Sequence, residues 1–209
     1  MAYSTVLRRK SGRAVLLYAV GDGTGHNKRE RRNEVVSVVN MLPGIDVADQ
    51  MDVYWRHARE GHTTQVLHVI QSFSKSEFNP ENPEDLEKAN VVGYEFAKRF
   101  YPNRQVAIFT QVDGKGGYVH NHVVINDVEM ETYRGCEREQ YHGAHVMRWT
   151  DEVAKEYTEL ETGKGTERTT KTEQVKREKG DYVWKDDLRE RIKQSLRESA
   201  KRFCKMIRT

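Results

Sequence analysis

The sequence predicts an α+β fold in which helices pack on a central antiparallel sheet, followed by a C-terminal helical extension. Short β-branched runs and longer segments of helical periodicity follow one another in the order strand, helix, strand, strand, helix. Two consecutive strands, 105–113 and 118–127, are joined by the segment GKGG, which is typical of an antiparallel hairpin. These two observations favour helices layered on an antiparallel sheet.

The N-terminal part has a less regular pattern. GRAVLLYAV (12–20) is compatible with a short helix or a strand, and the pattern does not decide. The glycine-rich and then basic segment 21–32 predicts a loop, and it lacks the spacing of a phosphate-binding loop. VVSVV (35–39) predicts a buried strand, and residues 47–58 carry apolar side chains at helical spacing. This N-terminal unit is expected to add one further strand to the sheet.

Two helices are predicted farther along the chain. Asn82 followed by Pro83 is typical of an N-cap and a first-turn proline, and the helix that they begin ends before Pro102. A second helix is predicted over 145–160. Its inward side chains are expected to be Val146, Trp149, Val153, Tyr157 and Leu160.

The composition predicts three regions. Residues 1–160 contain the strands and helices of one folded domain, and residues 161–180 have almost no apolar side chains, which predicts a linker. Residues 181–209 predict a helix whose apolar pattern runs to the end of the chain, as in the start of a longer region. The apolar side chains along it are Trp184, Leu188, Ile192, Leu196, Phe203 and Ile207.

Several classes of protein are excluded by composition. The 209 residues suffice for one sizeable core, and no apolar run approaches the ~20 residues of a membrane span. Basic residues precede a short apolar stretch at the N-terminus, but no cleavage motif follows, which excludes a signal peptide. Cys136 and Cys204 make neither a disulfide framework nor a zinc cluster, which favours a reducing cytoplasm.

Positive charge is concentrated at the two ends of the chain. Residues 1–32 hold eight Lys and Arg against two Asp and Glu, and residues 161–209 hold fifteen against nine. The intervening residues 33–160 hold twelve against twenty-one. Basic ends around an acidic middle suit a protein that grips a polyanion, although solvated charged faces explain the charge equally well.

A pair of histidines in the second hairpin strand marks the candidate site. His120 and His122 are two residues apart, so their imidazoles project from the same face of a strand. Such a pair can bind a divalent cation if a neighbouring strand supplies a third group, for which Gln111 or His68 is available. Asp113 lies beside these positions. Histidine with oxygen ligands favours Mn²⁺ or Mg²⁺ over a structural zinc, and two half-buried histidines bonded to the backbone are the alternative.

The motifs around this pair carry a family resemblance. HVIQSF (68–73), FTQVD (109–113) and VHNHVVIN (119–126) together resemble the core of the relaxase/mobilisation nuclease family, in the MOB-P branch of the HUH endonucleases. Upstream, the segment containing Tyr18 is similar to the opening of that family. Downstream, KGDYVWKDDLRERIKQSL (179–196) resembles the segment that follows the nuclease core.

The resemblance implies a conjugative relaxase with an HUH-like nuclease domain over 1–160. Such an enzyme nicks one DNA strand at a transfer origin of a plasmid or integrative element, keeps the 5′ end on a tyrosine and later religates it. It implies Tyr18 as the nucleophile, with Asp113 assisting, and His120 and His122 as ligands of Mg²⁺ or Mn²⁺. For DNA binding we expect Ser72, Arg29, Arg31 and Arg32.

The implied partners and location follow from the same family. The partners are single-stranded origin DNA, an accessory DNA-binding protein and a type IV coupling protein, with no membrane insertion. The location is the bacterial cytoplasm, with export to the recipient cell alongside the DNA. One motif departs from the family: relatives place a histidine ligand where this chain has Gln111.

Two other functions remain open from the residues. A rolling-circle replication initiator would use the same chemistry, although the C-terminal similarity to mobilisation proteins disfavours it. A non-catalytic module for single-stranded DNA would use the basic ends and exposed aromatic rings, and would leave the histidines structural.

Overall fold

The computed structural model describes residues 3–21, 33–114, 116–158, 175–177, 179–188, 190–191 and 194. The chain forms two compact units, Met1–Gly163 and Lys164–Thr209. The described strands and α-helices of the first unit are, in chain order, β1 (Tyr3–Arg9), α1 (Gly12–Val20), β2 (Val35–Val39), α2 (Val47–Trp55), β3 (Val66–Ser72), α3 (Pro83–Phe100), β4 (Val106–Gln111), β5 (His120–Asn126) and α4 (Gly143–Tyr157).

The strands form one five-stranded sheet in the order β1-β3-β5-β4-β2, and every neighbouring pair is antiparallel. α3 and α4 contribute to a large core on one face, and α1 and α2 to a smaller core on the other. Strands β3, β5 and β4 are buried along nearly their whole length because both faces are covered. The predicted α+β class is therefore confirmed.

Local sequence explains where the longest helix begins and ends. The Asn82 side chain accepts a hydrogen bond from the Glu84 amide at 3.1 Å, and Pro83 occupies the first turn. Acidic residues in the first turn and basic residues in the last complement the helix dipole. The predicted helix over 83–100 is confirmed with its boundaries.

Other predicted elements change in detail. The predicted strand at 35–39 is confirmed with its bounds, but it is an edge strand and not a buried one, because Val36 is 52% exposed and only Val39 is fully in the core. It pairs only with β4 and is covered on one face, by α3. The undecided segment 12–20 is helical. The hairpin strands are shorter than predicted, because β4 ends at Gln111 and β5 begins only at His120.

The second unit and the end of α4 are described only in part. Residues 175–177 and 184–188 are helical, and Trp184 and Leu188 are exposed. Leu160 and the remaining apolar positions of the predicted C-terminal helix lie outside the described residues. None of the described helices is long and apolar enough to cross a membrane.

A glycine sets how closely α3 approaches the sheet. A Cβ atom on Gly93 would lie 2.8 Å from Ile108 Cγ2 and 3.0 Å from Asn121 Nδ2. We therefore expect Gly93→Ala to lower the free energy of unfolding, because overpacking costs about 1–3 kcal/mol and exceeds the ~1 kcal/mol gained in helix propensity. Urea unfolding measures the change.

The matched control for this prediction is Gly143→Ala at the start of α4. A Cβ there meets no atom within 4 Å, so the control is expected to keep or raise the stability. A Gly93→Ala protein as stable as the wild type would contradict the close approach.

Candidate active site

The predicted histidines lie on the face of the sheet that α1 covers. The register of β3 against β5 sets Ile70 opposite His122 and His68 opposite Val124. His120 projects from the same face of β5, two residues before His122. The three imidazoles therefore lie next to one another across two neighbouring strands, although they come from segments far apart in sequence.

The three rings are in contact. His68 Nε2 is 2.8 Å from His122 Nδ1, and the two ring centroids are 5.0 Å apart. The ring of His120 lies edge-on to that of His122 at 5.2 Å. Burial, helped by the charge of Arg9, lowers the pKa of His68 to about 4. At neutral pH this imidazole is uncharged, as a metal ligand must be.

His120 is oriented by its surroundings. Its Nδ1–H donates to the carbonyl oxygen of Tyr118 at 3.0 Å, which leaves Nε2 on the side of Asp113, whose Oδ1 is 3.5 Å away. A carboxylate at this distance can steady the ring or accept a proton from it. Ser72, half-buried, lies directly opposite His120 in the register, so it is on the same face as the histidines.

The side chain of Gln111 does not bond to the histidines but to α1 and to the segment before β2. Its amide nitrogen donates to Ala19 O and to Asn33 Oδ1, each at 2.6 Å. Two acceptors define which end of the amide is the nitrogen. Within the described part of the chain no donor reaches Gln111 Oε1, which is buried. Gln111 thus ties β4 to the end of α1, and its oxygen is the end of the amide that no described residue engages.

Tyr18 lies in the last turn of α1, above the histidines. Its ring is edge-on to His122 at 5.7 Å and to His68 at 6.3 Å between centroids. The helix ends just beyond it because Gly21 adopts φ +102° and its amide bonds back to the carbonyl oxygens of Leu17 and Tyr18. The structure therefore brings Tyr18 together with His68 and His122.

The other end of α1 is docked on the sheet by contacts that the sequence pattern did not reveal. The Gly12 amide donates to Gln65 Oε1 at 2.8 Å, and Trp55 Nε1 donates to Gln65 O and to Asn126 Oδ1. A Cβ on Gly12 would lie 2.3 Å from Trp55 Cζ2. Only glycine lets the helix approach this closely, and the approach directs Tyr18 over the imidazoles.

A buried polar network lies behind the histidines, on the opposite face of the sheet. Asn121 donates to Gln71 Oε1 and to Ala89 O, and accepts from Thr110 Oγ1 at 2.8 Å. Gln71 and Thr110 are its register partners on the two flanking strands. A slip of one residue would break every one of these bonds and turn the imidazoles to the wrong face. Polar residues inside apolar strands were the only hint of this network in the sequence.

The donors around the histidines have the chemistry of a divalent-cation site. Within the described residues no group of three His, Cys, Asp or Glu side chains is arranged as an assembled metal site. His68 and His122 instead bond to each other. Two imidazole nitrogens at about 2.1 Å from one cation lie roughly 3.0 Å apart at a right angle and roughly 3.4 Å apart at a tetrahedral angle, a little more than the 2.8 Å found here. The residues present therefore fit a shared cation.

The family is shown by comparison with known proteins. Residues 18–158 match the family model described as Relaxase, MobA/VirD2-like, nuclease domain. This chain belongs to that relaxase family. The proposed DNA-binding residues Arg29, Arg31 and Arg32 fall inside the matched range but outside the described residues.

Individual relatives and structures agree with the family. A protein rlx of Staphylococcus aureus is 32% identical over 81% of this chain, and another is 30% identical over the same share. The chain spans about half the length of these two relatives, 49% and 50%. Two solved structures share the fold at low sequence identity.

The MobM relaxase domain, solved Mn-bound with plasmid pMV158 oriT DNA, is 13% identical with a TM-score of 0.51 and covers 84% of this chain and 98% of its own. The conjugative relaxase TrwC, solved metal-bound with oriT DNA, is 14% identical with a TM-score of 0.51. TrwC matches over 78% of this chain and 73% of its own. At these identities the likeness establishes the fold.

The low pKa of His68 makes stability depend on pH in a defined window. In the unfolded chain the imidazole binds a proton below about pH 6.5, whereas in the folded protein it stays neutral down to about pH 4. As the pH is lowered from about 6.5 to about 4, the free energy of unfolding should therefore fall by on the order of 1 kcal/mol per pH unit. In urea titrations, the free energy of unfolding of His68→Gln should fall less steeply with decreasing pH than that of the wild type. His57→Gln, at an exposed position, is the control. Equal slopes for His68→Gln and wild type would contradict a neutral, buried His68.

Proposed function

We propose that this chain carries the nuclease activity of a conjugative relaxase. It nicks one DNA strand at the transfer origin of a plasmid or integrative element, holds the 5′ end on Tyr18 and later reseals the strand. The observation that supports this most directly is the ring of Tyr18 standing edge-on over His68 and His122. Strand transfer requires a nucleophile close to side chains that can bind a metal ion.

The reaction exchanges one phosphodiester for another. The Tyr18 oxygen bonds to the scissile phosphorus and loses its proton, while the bond to the 3′ oxygen breaks and that oxygen takes up a proton. Because the phosphotyrosine retains a diester, attack by a 3′-hydroxyl reverses the step and religates the DNA. A phenol with a pKa of about 10 is a weak nucleophile at neutral pH, so the site must favour its anion.

A divalent cation, Mg²⁺ or Mn²⁺, would be held by His120, His122 and one further ligand. When bound it supplies positive charge that neutralises the phosphate under attack. We assign His68 as that ligand because its nitrogen already meets His122 and is uncharged at neutral pH. Gln111 is the alternative, since only its oxygen is available. Asp113 steadies His120.

The proposed substrate is single-stranded DNA at the origin. The half-buried Ser72 beside His120 and the arginines Arg29, Arg31 and Arg32 are proposed to bind it. An accessory DNA-binding protein and a type IV coupling protein are the proposed partners, with action in the bacterial cytoplasm and export with the DNA. The family match supports a relaxase over a replication initiator, and the gathering of Tyr18 with the histidines disfavours a purely binding module.

The first prediction concerns the covalent link. Tyr18→Phe keeps the ring and removes only the attacking oxygen, so it should bind single-stranded origin DNA like the wild type yet form no denaturant-resistant adduct. Denaturing electrophoresis and peptide mapping measure the adduct. Tyr3→Phe, on the exposed edge strand, is the control and should still react. A crosslink mapped to Tyr3 or Tyr118 would contradict the assignment.

The second prediction concerns the cation. His122→Ala and His120→Ala should each lower the nicking rate by at least about 100-fold because the phosphate then lacks neutralisation. Chelation of the wild type should have the same effect, and added Mn²⁺ should reverse it. His57→Ala, exposed on the protein surface, is the matched control. Undiminished nicking by the double variant with chelator present would show that the imidazoles hold no catalytic cation.

A further inference from the structure

Beside the proposed nucleophile lies a cavity to which no part of the substrate has so far been assigned. It has a volume of about 370 Å³ and opens between α1 and strands β1 and β3. Tyr18 and His68 form part of its lining, so it adjoins the position where the scissile phosphate must lie. A volume of this size is within the range of roughly 300–1,000 Å³ for pockets that take small organic groups.

The walls of this cavity, which we call the flanking pocket, are apolar on two sides. Leu7 and Ile70 come from β1 and β3, and Ala14 and Val15 come from α1. Leu7 is 38% exposed, an unusual state for a leucine on the face of a sheet that helices otherwise cover. The exposure arises because α1 packs over the centre of the sheet and leaves this face of β1, the edge strand, uncovered, whereas α4 packs on the other face.

Positive charge lines the same pocket. Arg9 and Lys10 contribute to it where β1 passes into α1, and Ser11, the N-cap of the helix, lies next to them. Arg9 is close enough to His68 to lower the pKa of that imidazole. Apolar walls with adjoining cations suit a flat, uncharged ring that is attached to an anion. A nucleobase with its neighbouring phosphate has this chemistry.

The covalent structure of DNA limits which base can occupy the pocket. The phosphate attacked by Tyr18 is bonded to two nucleosides, one on each side. One of their bases must therefore lie within a nucleotide's length of the pocket lining. A base held there has left the stack of its neighbours, as in other enzymes that read a single unstacked base.

We propose that the flanking pocket holds the unstacked base of one nucleotide adjoining the scissile phosphate and sets the base preference at that position. Arg9 and Lys10 bind the phosphate next to that base. This inference rests on the proposed nicking activity, because that activity places a phosphate at Tyr18. It assigns a specificity role to Ala14 and to Leu7, which lies opposite His68 in the register of β1 against β3.

The test fills the pocket from either side. Ala14→Trp introduces a ring from exposed α1, and Leu7→Trp does so from β1 in case the first variant folds poorly. Leu17→Trp, exposed on α1 but outside the pocket lining, is the matched control. The wild type is first incubated with a randomised single-stranded DNA library, and the DNA in covalent adducts is sequenced to locate the cleaved junction. Single abasic nucleotides are then placed on either side of that junction.

We expect each pocket-filling variant to lose at least about tenfold in adduct yield on intact DNA. An abasic nucleotide at one flanking position should restore the yield to within about twofold of the wild type, and Leu17→Trp should match the wild type on every DNA. Wild-type yields and base preferences in folded Ala14→Trp and Leu7→Trp would overturn the inference. A loss that no abasic position restores would overturn it as well.

A binding measurement separates this inference from the proposed function. In Tyr18→Phe, which cannot react, 2-aminopurine in a single-stranded oligonucleotide should change its fluorescence on binding, and adding Ala14→Trp should abolish the change at one position. Absence of any wild-type adduct would contradict the nicking activity. Absence of an Ala14-dependent fluorescence change would contradict the pocket, whether or not an adduct forms.

Discussion

The register of β3 against β5 is the constraint on which the site depends. It places His68 opposite Val124, so that His68 and His122 are diagonal neighbours on adjacent strands, and their nitrogens are 2.8 Å apart. The strand period of two then adds His120 to the same face. The register is held from behind, where Asn121 bonds to its partners on both flanking strands. The buried polar network and the imidazole cluster thus lie on opposite faces of the sheet and depend on the same strand register.

The helix that carries Tyr18 is placed by a second set of contacts that converge on this alignment. Its start packs on Trp55 through Gly12, and its end is bonded to Gln111 on β4. A nine-residue helix has little stability alone, so its position must come from these anchors. They hold the phenol over the imidazoles, and the face of the edge strand β1 beside it stays partly exposed.

Local patterns predicted some of this and long-range packing decided the rest. The shared face of His120 and His122 follows from strand geometry alone and was predictable. The contact of His68 with His122 spans 54 residues and depends on register, so the sequence left it as one of two choices. Segment 12–20 is apolar on nearly every side and became a helix through its caps and its packing. Segment 35–39 was placed at an edge by the strand order, which its own residues do not encode.

We propose that His68, His120 and His122 share one cation beneath Tyr18. Crystals of the protein soaked with Mn²⁺ and measured at the manganese absorption edge test this most directly. We predict one strong anomalous peak within about 2.3 Å of a nitrogen from each of these three rings. A peak that lies on the Gln111 oxygen, with His68 still bonded to His122, would contradict it.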